Sequence, residues 1–309
     1  MIKTLPLEEC ENLWKNILKN EPIVYPFYTY GWHIVWKKTL APTSRVLVYY
    51  TDDVLVSLVI TENEAHFSGE EEIADYLDCI GDASHKQLFW EELLSCLKNQ
   101  GVNRILLRNI PASSPTKDIL QTLGAEVTNE DMTPTIPLPK TETDYLQSLD
   151  RKNRHEFKRK INKFEFSYPD INFWVTKEIN INALLALMKQ SDSKKIFLTN
   201  DMEMFFRSLP TLPNIQILQG NLSTKEGSLV ASVILFVVDR MLLLYNSGFD
   251  TVYKGSGFYL KAKMILWAIE NNYTEYNFLQ GQERYKYELG GKDVPVYRIT
   301  VHAAVPTSP

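Results

Sequence analysis

Hydrophobic and polar positions along this chain follow two alternating periods. RVLVYY and VLVSLVITE are short apolar runs parted by Thr51-Asp52-Asp53, which predicts a β-hairpin. FWEELLSCLKNQG spaces its apolar residues as a helix does and halts at Gly101. RILLRNI then returns to strand. The same script runs again downstream. SLVASVILFVV and MLLLYNSGF are strands joined at Asp239-Arg240, FYLKAKMILWAIENN is a helix, and TEYNFLQG is a strand. The two helix-to-strand junctions lie about 170 residues apart, on the order of one domain length. The pattern predicts an α/β protein with mixed sheets, built from a duplicated domain.

The division between the copies is set by TNEDMTPTIPLPKTETD, where Pro134, Pro137 and Pro139 favour an extended connector. The expected domains are therefore 1–136 and 137–309, with AAVPTSP as a frayed tail. Phe27, Trp32 and Trp36 are spaced as the core contacts of a first helix and read as packing.

The second copy contains YKGSGFYLKAKMILWA. Here Gly255 and Gly257 stand between an apolar strand and a helix whose inner side shows Phe258, Ala262, Ile265, Leu266 and Ile269. Strand, glycine loop and helix in that order expose backbone N–H groups suited to an anion. Two readings stay open from the loop alone: an anion cradle, or a plain turn into the helix. The corresponding stretch of the first copy, GDASHKQLF, has no glycine pair and adds Asp82, whose charge would repel a phosphate. An anionic ligand therefore belongs to the C-terminal copy, and the N-terminal copy is expected to be a scaffold completing an acceptor cleft.

Charge changes the picture in the same direction. The net charge is −5, but residues 1–136 hold 11 Lys+Arg against 20 Asp+Glu, while residues 137–309 hold 22 against 18. The C-terminal part is the better host for a phosphate-bearing ligand. Apolar content of 44% and charged content of 23% are ordinary for a soluble globular protein. No apolar run reaches the roughly 18 residues of a membrane span, and the acidic N-terminus lacks a signal-peptide segment, so a cytoplasmic protein is expected. Cys10, Cys79 and Cys96 are scattered, and the five histidines show no paired-ligand spacing, so no metal site is expected.

Several segments carry a family resemblance. YPFYTYGWHIVWKKT resembles the "pF-x-x-x-x-W" opening of the FemAB-like, BioF/CelD-type branch of the GNAT acyltransferases. DYLQSLDRKNRHEFKRKINKFE resembles that family's "yl-x-sl-x-x-k-x-R-x-e-x-r" segment. LYNSGFDTVYKGSGFYLKAKMILWAIENNYTEYNFLQGQERYKYELGG resembles its closing block. The similarity covers nearly the whole chain and implies tandem GNAT-like domains in a Fem-like arrangement. Two positions depart from the pattern. Asn277 stands where the family usually has Asp, and Val252 stands at the first, polar position of the pyrophosphate loop.

What the resemblance implies is an acyltransferase with acetyl-CoA or another acyl-CoA as co-substrate and no tightly bound cofactor. The acceptor would be an amine or hydroxyl of a small molecule or of a cell-envelope or polysaccharide precursor. The diphosphate anchor would be the N–H groups of Lys254, Gly255, Ser256, Gly257 and Phe258, with the helix dipole behind them. The acyl chain would lie along Leu242–Ser247, between splayed strands carrying Tyr245 and Asn277. After the second of these strands, Tyr285 is the candidate acid for the leaving thiolate and Glu283 the candidate base. The resemblance favours Lys286 near the reacting centre, where it would stabilise an oxyanion. Tyr285 and Tyr287 as ordinary strand-edge aromatics are the alternative.

The run from Arg151 to Lys163 has seven Lys+Arg and one acid. Arg151, Arg154 or His155, and Lys158 share a helical face, suited to substrate phosphates or simply to solvent. Asp75 and Tyr76 match a weaker "s-D-y-l-d" feature and are assigned to the acceptor side. Two other functions stay open: a Fem-like transferase drawing on aminoacyl-tRNA, the one case implying a nucleic-acid partner, and a catalytically silent binding module.

Overall fold

Both hairpins predicted from the sequence form. At the first, Thr51 N–H donates to the Val54 carbonyl over 2.8 Å, and the Thr51 hydroxyl accepts from Val54 N–H over 3.2 Å. At the second, Asp239 takes a positive φ of 51°, tolerated by a short polar side chain. The structure is a computed structural model and describes residues 1–69 and 72–302. The tail AAVPTSP lies outside the described residues.

The strands are β1 (Lys3–Pro6), β2 (Val46–Tyr50), β3 (Val54–Thr61), β4 (Glu64–Phe67), β5 (Ile80–Gly81), β6 (Arg104–Pro111), β7 (Glu126–Met132), β8 (Thr135–Pro137), β9 (Asn172–Thr176), β10 (Gln216–Ser223), β11 (Leu229–Val238), β12 (Met241–Phe249), β13 (Glu275–Asn277) and β14 (Pro295–His302). The helices are α1 (Glu11–Leu18), α2 (Tyr30–Thr39), α3 (Lys86–Asn99), α4 (Thr116–Thr122), α5 (Glu142–Ser148), α6 (Arg151–Ser167), α7 (Ile181–Met188), α8 (Asp192–Phe197), α9 (Asn200–Ser208), α10 (Ser256–Glu270) and α11 (Arg284–Glu288). Among the described residues no helix is long and apolar enough to cross a membrane.

The chain divides into two units, one of residues 1–131 with 295–309 and one of residues 132–294. The first holds a mixed sheet in the order β1-β2-β3-β4-β6-β14-β7, with β5 paired to β3. Phe27, Trp32 and Trp36 are buried in its core, as expected. The division expected near residue 137 thus needs two corrections. It falls a few residues earlier, and β14 belongs to the first sheet rather than to the C-terminal copy. β14 lies between β6 and β7 and buries Val296 and Ile299. Without it both neighbours would expose an unpaired edge.

The second unit holds a sheet in the order β8-β13-β12-β11-β10-β9, antiparallel except for β12 with β13. β11 reads LVASVILFVV because it is central and covered on both faces, by α10 and by α7. α10 is buried on more than the one face that its periodicity shows, with Tyr259, Leu260, Lys261, Met264 and Ala268 also inside. Met264 packs against Gly220 of β10, and α6 covers another part of the helix, where Phe164 and Tyr259 stack with ring centroids 4.4 Å apart. TEYNFLQG yields only the three residues of β13, because Leu279 turns to φ 57° and leaves the pleat. Tyr285 and Tyr287 sit on α11, so they are not strand-edge aromatics.

Candidate functional site

α10 begins with Gly255 in the left-handed region at φ 94°, where a Cβ is costly. Lys254 N–H donates to the Val252 carbonyl over 3.2 Å, and Ser256 N–H to the Tyr253 carbonyl over 3.0 Å. Two of the five expected anchor amides are therefore committed to the turn. Among the described residues nothing accepts from the N–H groups of Gly255, Gly257 and Phe258. They are the orphan donors of a helix start, backed by the dipole. The buried Ser256 Oγ also lacks a partner among the described residues. Gly257 serves packing as well, since a Cβ there would stand 2.9 Å from Cδ1 of Phe249. Lys254 is exposed. The Phe258 ring lies 4.4 Å beneath the Lys160 amine.

β12 is bulged. Ile234 faces Asn246 and Leu235 faces Leu244, so Tyr245 is the extra residue. Its ring packs on Phe236 and Phe206, at 4.7 and 5.8 Å. β12 and β13 pair in parallel only from Met241 with Glu275 to Leu243 with Asn277. Beyond that point β12 runs on to Phe249, while the other segment turns away. The Asn277 amide oxygen accepts from Leu279 N–H over 2.8 Å and shapes that turn. The two strands part there, with Tyr245 and Asn277 at the fork.

Three lysines converge beyond the fork. The Lys286 amine, 2% exposed, donates to the carbonyls of Leu279, Gln280 and Gly281 at 3.2, 2.6 and 3.0 Å, and stands 3.0 Å from Glu283 Oε2. These bonds hold the turn after β13 and occupy the amine expected to meet an oxyanion. The Lys261 amine stands 4.7 Å over the Tyr285 ring and 3.4 Å from the Gly257 carbonyl. Burial brings its titration down to about 7, and Lys194 and Lys286 repel the charge while Glu283 favours it. The Lys194 amine, from α8, donates to Asn246 Oδ1 over 3.0 Å and to the Ser247 carbonyl. Burial holds it at about 8, against the opposing pull of Glu283. Burial, then the Glu283 charge, pushes the Tyr285 hydroxyl well up, which keeps it protonated and makes it a poorer acid. The Glu283 side chain is 58% exposed and opens the cluster to solvent.

The remaining expected residues are placed elsewhere. Arg154 donates to the carbonyls of Gln147 and Leu149 at 3.1 and 2.9 Å, which closes the C-terminal end of α5 rather than meeting a substrate phosphate. Arg151 and Lys158 are exposed on α6. Asp75 and Tyr76 lie in the first unit, where the Tyr76 ring packs on Tyr25 at 4.6 Å. Lys194 escaped the sequence reading: SDSKKIFLTN is a polar stretch, and nothing local marks one lysine as inward. Lys261 was visible as charge one turn into α10, but its burial was not.

Comparison with known proteins agrees with this architecture. Residues 151–287 match the family described as "Acetyltransferase (GNAT) domain". The matched residues lie within the second unit. The similarity also extends to solved structures. A conserved protein of unknown function from Bacteroides thetaiotaomicron superposes with a TM-score of 0.67 at 12% identity, covering 98% of this chain and 99% of that one. FemX gives 0.61 at 11% identity, over 97% and 96%. L-PGS from Bacillus licheniformis gives 0.61 at 13% identity, over 87% and 90%. At such identities the likeness concerns the fold alone, that of GNAT-like units in tandem. No curated protein matches the sequence.

Proposed function

We propose that this protein is a thioester-dependent acyltransferase whose donor site lies in the second unit. In this reading acetyl-CoA or a longer acyl-CoA is a co-substrate. Its diphosphate rests on the N–H groups of Gly257 and Phe258, with Lys254 nearby. The pantetheine and acyl group follow β12 past Tyr245. An amine or hydroxyl of a small molecule or envelope precursor attacks the thioester carbonyl, forming a C–N or C–O bond as C–S breaks. Glu283, reached from solvent, accepts the acceptor's proton through water. Tyr285 donates a hydrogen bond to the departing thiolate, and Lys286 positions the loop that carries both. The parting of β12 from β13 beyond Asn277 supports this reading most, because it frees strand edge next to an open helix N-terminus.

Calorimetry with acetyl-CoA and longer acyl-CoAs tests it. Saturable binding that Gly257→Trp abolishes is the expected result, and no binding at any chain length would refute the thioester donor. The exposed basic face of α6, including Arg151, Lys152 and Lys158, supports a second reading with aminoacyl-tRNA as donor. A gel shift with charged tRNA at low and moderate salt separates the two. Failure of both would leave a binding module.

A further inference from the structure

Lys194, Lys261 and Lys286 bring three amines to one carboxylate, that of Glu283. Lys286 is matched: it has three carbonyls and the ion pair with Glu283. Lys194 has an amide oxygen and a carbonyl, both neutral. Lys261, 6% exposed, has one long contact to a carbonyl and the face of a ring. Among the described residues no carboxylate pairs with Lys194 or Lys261. A lysine that merely filled apolar space would carry its amine out to water along its stem. These two instead carry theirs to the fork between β12 and β13.

We propose that Lys194 and Lys261 form a seat for an oxyanion, a carboxylate or phosphate carried by the acyl donor or by the acceptor, beside the parted strands. The proposal rests on the acyltransfer reading and narrows its substrate class. Burying unmatched positive charge is unfavourable, so such a cluster either loses protons or acquires an anion. The groups that face Lys261 are Lys194 from α8, Glu283 from the loop before α11, and Tyr285 and Lys286 from α11. Only one of these is an acid. An oxyanion between the two amines supplies the missing charge through charge-assisted hydrogen bonds. The Lys194 amine stands on Asn246 and Ser247, immediately after the bulge, so the anion would lie close to the group being transferred. With the amines held by burial at about 7 and about 8, seating an anion draws protons from solvent.

The full chain is titrated calorimetrically with succinate and with inorganic phosphate at pH 7.5, in two buffers of different ionisation enthalpy. Saturable binding with net proton uptake is expected, weakened at least about tenfold in Lys194→Met and in Lys261→Met. Thermal melts run alongside. Succinate or phosphate should raise the melting temperature of wild type and leave that of the double variant unmoved, a comparison that holds even if one single variant folds poorly. Matched substrates then identify the source: succinyl-CoA against butyryl-CoA for the donor, and amine acceptors bearing a carboxylate or phosphate against their uncharged amides or alcohols for the acceptor. One pair should favour the anion about tenfold in wild type only. Acyl-CoA binding without anion binding or anion preference would overturn the proposal and leave the acyltransfer reading standing. Anion binding with no acyl-CoA binding would sink that reading and keep the seat. Binding that never saturates, or that both methionine variants retain, would overturn the seat.

Discussion

A protonated lysine at position 261 is poorly supported by its surroundings, and this has a pH signature. In the unfolded chain the amine titrates near the ordinary lysine value, and in the fold at about 7. Between those limits the unfolded state holds more protons, so this residue makes stability rise with pH from about 7 upward and contributes a constant penalty below. Lys261→Met should therefore raise the melting temperature at pH 6–7, by on the order of 1–4 kcal/mol of stability, with the gain fading towards pH 10. Melting curves across that range check it; a gain independent of pH would refute the assignment. At Gly255 the backbone rather than the side chain decides. Gly255→Ala should cost roughly 1–2 kcal/mol from its φ alone, and Gly255→Asn less, measured by urea unfolding.

At the scale of elements, one helix end is closed by a side chain that the sequence assigned to substrate. Arg154 holds the last carbonyls of α5. Arg154→Ala should destabilise by about 1–3 kcal/mol and leave acyl-CoA affinity unchanged, whereas Arg151→Ala and Lys158→Ala should stay within about 0.5 kcal/mol of wild type. Paired denaturation and binding measurements separate these roles. In the first unit the Asp82 side chain accepts from Ser84 N–H over 2.8 Å, taking the amide that a phosphate would use. The sequence reading placed repulsion there, and the structure adds occupation. The hairpins, α3 and α10 were legible because each rests on a local period. The early end of β13 and the helix α11 were not. The φ of Leu279 and the carbonyl bonds of Lys286 truncate the strand, and they depend on how that loop folds back on itself.

For the whole molecule, β14 is the decisive strand. It joins the first sheet through pairing with β6, although the rest of the second unit separates it in sequence from that sheet's other strands. Ending the chain after Val294 should unfold the first unit rather than trim a tail, since it opens two sheet edges and removes the buried side chains of Val296 and Ile299 from the core. Limited proteolysis should then cut within residues 1–131 first. Residues 132–294 cleaved at the same rate would contradict this view.

By itself the sequence determined the two hairpins and the long helices after them, that the plan repeats, which copy carries a glycine lead-in to a helix, and where positive charge collects. All of these are written in neighbours within a few turns or one hairpin. Only the tertiary structure decided that β14 crosses back to the first sheet, that Arg154 caps a helix, and that Lys194 and Lys261 feel each other's charge and that of Glu283. Whether an amine is buried, and what charge it faces there, depends on segments far apart in the chain, and no local period encodes that.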